Sequence, residues 1–225
     1  RSPLITAAGL LFAASFVAGV SAKANGDARY NPDIASNRVT VQGTSTIHDW
    51  TVEGRVIQGE LIVHEIEPSS LWTNSDATSQ VLTPTPTVQV EIPVGALKSD
   101  KSGLNKKMYD ALKANAYPMI TYRLERAEIQ AGRTADEDDS RGALAVHTRG
   151  LLTVAGVGRT VDIPMQLKPL SEGRLEVSGE TSLQMSDFGI DPPTAMLGLL
   201  RTGDTVHIQW VWVLARGRID NRDVQ

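Results

Sequence analysis

The chain has 225 residues, of which 41% are hydrophobic and 21% charged, with a net charge of −4 and no cysteine. This composition supports a sizeable core and excludes disulfides, thiolate metal sites and a cysteine nucleophile. No basic stripe is present to neutralise phosphates, so nucleic acid is not an expected partner.

In chain order, Arg1 is followed by an uncharged apolar run from Leu4 to Val20 that closes on the small residues Ser21 and Ala22. The run is short for a bilayer span, which takes about 20 residues. It ends as a signal-peptidase site does, without a positive stop-transfer cluster. Residues 1–22 are therefore expected to be a cleaved signal peptide, with the mature protein starting near Lys23 in the periplasm or otherwise exported. An uncleaved anchor is the alternative. Residues 23–36 are small, polar and aperiodic, and read as a linker.

From Arg38 the pattern becomes β. Val39, Val41 and Gly43 alternate with Thr40 and Gln42, and Trp50, Val52, Val56 and Leu61 to Val63 continue the apolar supply. Gly54 and Gly59 interrupt it, which suits bends in a curved strand. Residues 65–86 hold Pro68, Pro84 and Pro86 and read as a long loop, with Trp72 inside it. Val88, Val90, Ile92 and Val94 then alternate cleanly.

The most distinctive stretch is Leu104 to Leu124. Leu104, Met108 and Leu112 recur four apart, with Ala111 beside them, while Asn105, Lys106, Asp110 and Lys113 fall on the other side. This predicts a short amphipathic helix with Ser102 as N-cap. Pro118 ends it and pushes Tyr117 towards an extended backbone. Ile120, Tyr122 and Leu124 then alternate as a strand. Residues 131–142, including the acidic run 136–139, read as a solvated loop. Further strands follow around Leu144 to Val154, Val161 to Leu167, Leu175 to Leu183 and Val206 to Leu214. Turns are expected at Gly156-Val157-Gly158 and Ser171-Glu172-Gly173, and a helical turn over Ala195 to Leu200.

About eight strands joined mostly by short turns imply an antiparallel meander. Closure into a barrel would remove its open edges, and periodicity alone leaves a two-sheet sandwich open.

Catalytic signals are poor. His48, His64, His147 and His207 show no metal-ligand spacing, and there is no P-loop, dinucleotide fingerprint or carboxylate pair. Gly43-Thr44-Ser45-Thr46-Ile47 lacks the final Gly of a nucleophile elbow. Neighbours on an extended backbone face opposite ways, so Asp49 is badly placed to orient His48. Ser45 and His48 are expected to bond a turn at the barrel mouth, and an enzyme is not expected. A small-ester hydrolase would require both within hydrogen-bonding reach. No cofactor or metal is implied. The apolar surplus points instead to a lined pocket: Trp50, Val90, Ile92, Leu104, Met108, Leu112, Ile120, Tyr122, Phe188, Ile190, Met196, Leu199, Trp210 and Trp212.

Four segments occur in an order that resembles the YceI-like family, the lipocalin-like polyisoprenoid-binding proteins of the bacterial periplasm. They are Gly43 to Trp50, Leu104 to Leu124, Leu151 to Met165, and Met185 to Asp204. The resemblance implies an all-β, eight-stranded antiparallel lipocalin-like barrel over residues 37–216, with one short amphipathic helix packed against it and a tail at 217–225. It also implies an interior holding a long-chain amphiphilic lipid: a polyisoprenoid, quinone or fatty acyl derivative. Head-group candidates are His48 and Lys106, with Lys98, Lys101 and Lys107 nearby. Transient membrane contact is a further option, and the oligomeric state stays open. The rival is a cell-envelope interaction module with a filled β-sandwich core and no ligand.

Overall fold

A computed structural model describes residues 27–64, 71, 79–134, 142–195 and 200–217. The signal-peptide, Trp72 and acidic-run (136–139) readings lie outside the described residues, whereas residues 131–134, expected in the same loop as that run, continue a strand instead. Among the described residues there are twelve strands: β1 (Ala28–Pro32), β2 (Arg38–Ser45), β3 (Trp50–Gly54), β4 (Gln58–Val63), β5 (Gln80–Val81), β6 (Thr87–Pro93), β7 (Met119–Thr134), β8 (Ala143–Val154), β9 (Val157–Pro169), β10 (Leu175–Gln184), β11 (Thr194–Ala195) and β12 (Leu200–Arg216). The described pairings are antiparallel and run β1-β4-β6-β7-β8-β9-β10-β12, with β12 returning to β1 to close the ring.

The ring counts as eight because β5 and β11 lie off it and two of its own strands are broken. β12 pairs with β1 through Leu214 to Arg216 and with β2 through Thr202 to Val211, so β1 and β2 act as one interrupted strand. β3 and β4 do the same beside them, pairing with β2 and β1 respectively. Asn37 sits in the first interruption and is 2% exposed. Its side-chain amide donates to the Ile57 carbonyl in the second interruption, 3.2 Å away, and its carbonyl accepts from the Val213 N–H at 2.8 Å. One side chain thus satisfies a backbone group at each break, and the Asp33 N–H donates to the Val213 carbonyl at 2.8 Å beside it, as buried backbone groups require.

Several expectations are corrected. Residues 23–36 are not simply a linker: β1 lies within them, anchored by Tyr30, which is buried between strands on both sides. The end of the 65–86 loop is β5, paired with β7. The β8–β9 turn is Ala155-Gly156, one residue earlier than expected, because Val154 pairs with Val157. Both turn residues have positive φ, +49° and +82°, as a two-residue hairpin matched to strand twist demands. The segment 195–200 is not a helical turn at its ends, where β11 pairs with the start of β12.

The helix, α1, spans Ser102–Ala111, with Leu112 as its C-cap. Ser102 is not the cap. Lys101 holds that position without a side-chain bond, and Asn105 braces the entry instead. Asn105 accepts from the Ser99 N–H at 2.7 Å and donates to the Ser99 carbonyl at 3.0 Å. After Pro118 the period changes to two, and β7 begins at Met119.

Candidate functional site

The barrel is hollow. A cavity of about 740 Å³ opens at the end where α1, the β2–β3 turn and the β10–β12 connection meet. Its depth can be followed along β12. Val206, Ile208, Trp210 and Trp212 face inward in succession and line the cavity. Leu214, the next inward residue, is fully buried and does not line it. Tyr30, Leu61, Val63, Leu144 and Leu175 join Leu214 in a packed core that seals the far end.

Large aromatic rings fit in the wall because glycines face them. Gly43 lies opposite Trp50, and Gly179 lies opposite Trp210. A methyl group on Gly43 would stand 2.2 Å from the Trp50 ring, and one on Gly179 would stand 2.6 Å from the Trp210 ring. Gly150 does the same for Tyr122, whose ring would lie 2.6 Å from an added Cβ. An aromatic side chain laid over a glycine on the next strand covers exposed backbone and sets the local curvature.

Tyr122 is the main polar handle in the lumen. Its hydroxyl donates to Thr148 Oγ1 at 3.2 Å, and Thr148 donates onward to the Ile163 carbonyl at 2.8 Å. Burial raises the Tyr122 pKa, the Thr148 bond opposes that rise, and Glu125 and Asp162 add to it. At the floor, the indole N–H of Trp212 is buried without a hydrogen-bond partner.

α1 lies over the mouth with Leu104 and Met108 towards the main core, while Ala111 and Leu112 meet a second cluster of Ala155, Phe188 and Ile190. None of its side chains is fully buried. Its apolar stripe borders the cavity. Ser186 and Asp204 tie the rim together: the Asp204 carboxylate accepts from the Ser186 N–H at 2.8 Å and its hydroxyl at 2.5 Å, and these bonds lower the Asp204 pKa.

Of the residues expected in a pocket, Trp50, Val90, Ile92, Leu104, Met108, Leu112, Ile120, Tyr122, Phe188, Ile190, Trp210 and Trp212 line this cavity. Met196 and Leu199 lie outside the described residues. Of the polar candidates, His48 is at the mouth and Lys106 is not. Lys106 points away, into a shallow groove with Ser102, Tyr109 and Asp110. Lys98 is bound through its backbone to Glu53. The cations on the rim are Lys101, Lys107 and Arg201. Lys101 Nζ donates to His48 Nε2 at 2.7 Å.

Ser45 is occupied elsewhere. Its hydroxyl donates to the His48 carbonyl at 2.6 Å and accepts from the His48 N–H at 3.3 Å. The bonds go to His48's backbone and form a turn, and the imidazole turns to Lys101 instead.

A family model described as a YceI-like domain matches residues 30–214. Two solved structures are similar with a TM-score of 0.57. Burkholderia cenocepacia BcnA is 15% identical, covering 81% of this chain and 98% of its own. A polyisoprenoid binding domain from Saccharophagus degradans, implicated in plant cell wall breakdown, is 14% identical and covers 84% and 98%. At these identities the likeness speaks for the fold. No curated protein matches the sequence.

Proposed function

Because the chain belongs to the YceI-like family, we propose that it is an exported binding protein that sequesters or carries a long-chain amphiphilic lipid in its barrel. The ligand class is a polyisoprenoid, quinone or fatty acyl derivative. The observation that carries this reading is the hollow itself, about 740 Å³ and walled by apolar side chains from nearly every strand of the ring. A rival module with a filled sandwich core finds no support in a closed barrel with an open interior. The Saccharophagus degradans relative, by its description, binds polyisoprenoid.

The driving force is transfer of the tail from water, about 0.8 kcal/mol for each buried CH2. Ten buried methylenes supply roughly 8 kcal/mol before the cost of immobilising the ligand. Such binding needs no polar recognition of the tail. The head group stays at the rim, where His48 and Lys101 replace the expected pair of His48 and Lys106. Export rests on the Leu4 to Val20 run and its small-residue close.

Native mass spectrometry of the protein as purified, followed by solvent extraction, tests the reading. A bound apolar species that leaves on extraction, and a fluorescent long-chain lipid that rebinds with a change in tryptophan emission, are the expected results. Ser45→Ala should leave that affinity unchanged. Hydrolysis of short esters by the protein, lost in Ser45→Ala, would overturn the reading in favour of a hydrolase.

A further inference from the structure

Among the described residues the cavity has one open end, and that limits what it can hold. Trp212 forms the floor, and the layer beneath it, Leu175 paired with Leu214, is buried and packed. Leu214 is 0% exposed and Leu175 is 4% exposed, so a chain entering at α1 cannot pass through to the far side. From Val206 to Trp212 the lumen runs about 20 Å along the strand, at about 3.3 Å per residue. Its content is therefore finite and set by the wall.

We propose that the lumen acts as a chain-length ruler, taking about 27 carbons of a ligand's apolar chain, between five and six isoprene units, and leaving the rest outside. The number comes from the 740 Å³ cavity. A methylene has roughly 20 Å³ of van der Waals volume and claims about 27 Å³ at the packing density of protein interiors, about 0.75. Longer chains gain nothing from their outer units, because those stay in water or against the rim. Shorter chains leave part of the lumen unfilled and forfeit contacts with Trp210 and Trp212. This rests on the lipid-binding reading above, and it adds a preferred size to a site otherwise tolerant of tail chemistry.

The ruler is tested on solvent-extracted protein with linear isoprenoid alcohols that grow by one unit at a time, each displacing a fluorescent fatty acid. Affinity should climb with each unit, by up to about fourfold per added methylene-sized group. It should then stop climbing near five or six units, with later additions changing it less than about twofold. Thr181, which lines the lumen beside Ile208, offers a way to shorten the ruler. Thr181→Trp adds roughly 110 Å³ of side chain, about four carbons' worth, so the break should move down by about one unit. The wild-type series decides the matter if that variant fails to fold. Affinity that keeps rising through about eight units would overturn the ruler and leave the lipid-binding reading standing. A break that ignores Thr181→Trp in a folded variant would also overturn it. Failure of every chain length to displace the probe would remove both.

Discussion

Met108→Ala separates a lid from a plug. Met108 lies midway along the apolar stripe of α1, borders the cavity and touches the main core, yet no side chain of the helix is fully buried. A methionine enclosed by protein on all sides would leave a new void on truncation and cost about 2–5 kcal/mol. Here one side of Met108 already faces open space, so that part of the packing was never made with protein. Truncation should cost about 1 kcal/mol in the solvent-extracted protein, within the range of an ordinary substitution. Lipid binding should suffer more visibly. Losing the contacts of two methylene-sized groups with a tail amounts to roughly 1–2 kcal/mol, or about five- to thirtyfold in Kd. Urea denaturation of the extracted protein and displacement of a fluorescent fatty acid supply the two numbers. A loss above about 3 kcal/mol with unchanged affinity would make α1 a core plug and refute the reasoning.

Three further outcomes follow from the wall and the seam. Gly179→Ala should cost about 1–3 kcal/mol by denaturation, because the new methyl meets the Trp210 ring at 2.6 Å and the Pro164 carbonyl at 2.9 Å, and the backbone cannot retreat. Asn37→Ala strands the Val213 N–H and the Ile57 carbonyl, so a loss of about 2–4 kcal/mol is expected; a change under about 0.5 kcal/mol would show that the breaks do not need this clasp. Tyr122 gives a pH dependence: burial raises its pKa above 10.0, so the folded state keeps a proton that the unfolded chain releases. Its contribution is whole below pH 10 and drains away as pH rises through the window above that value. Tyr122→Phe should cost about 1 kcal/mol at neutral pH and flatten that part of the alkaline profile, as read by urea titrations across the range.

The helix, the proline and the strand after it were legible in sequence because each obeys a local rule: a stripe four apart, a residue that cannot continue a helix, then a period of two. The lumen wall was legible for a related reason. Val206, Ile208, Trp210 and Trp212 alternate so regularly that their shared face follows from strand geometry. β1 was not legible, because its five residues carry one large apolar side chain, Tyr30, and gain their stability from partners at the other end of the chain. The lysines show a signal that was present and misread. Lys107 is three residues after Leu104 and four before Ala111, which places it at the margin of the apolar stripe and beside the mouth. Lys106 is turned the other way. The contact between Lys101 and His48 joins segments 53 positions apart, and no local pattern encodes it. The glycine–aromatic pairs are also a matter of register: Gly179 explains Trp210 only once the two strands are aligned.

The double pairing of β12 bears on when the interior comes into being. β12 meets β10 along one edge and both β1 and β2 along the other, so closure joins segments from opposite ends of the described chain. Contacts of such separation demand that the entropy of a very long loop be lost before any of them forms, which makes them slow. Until β12 pairs with β1 and β2, the strands can form only an open, curling sheet with its apolar face uncovered. No hollow exists at that stage, since a trough has no inside. Container and fold thus depend on the same seam, and without the pairing of β12 to β1 and β2 the barrel has no interior to fill.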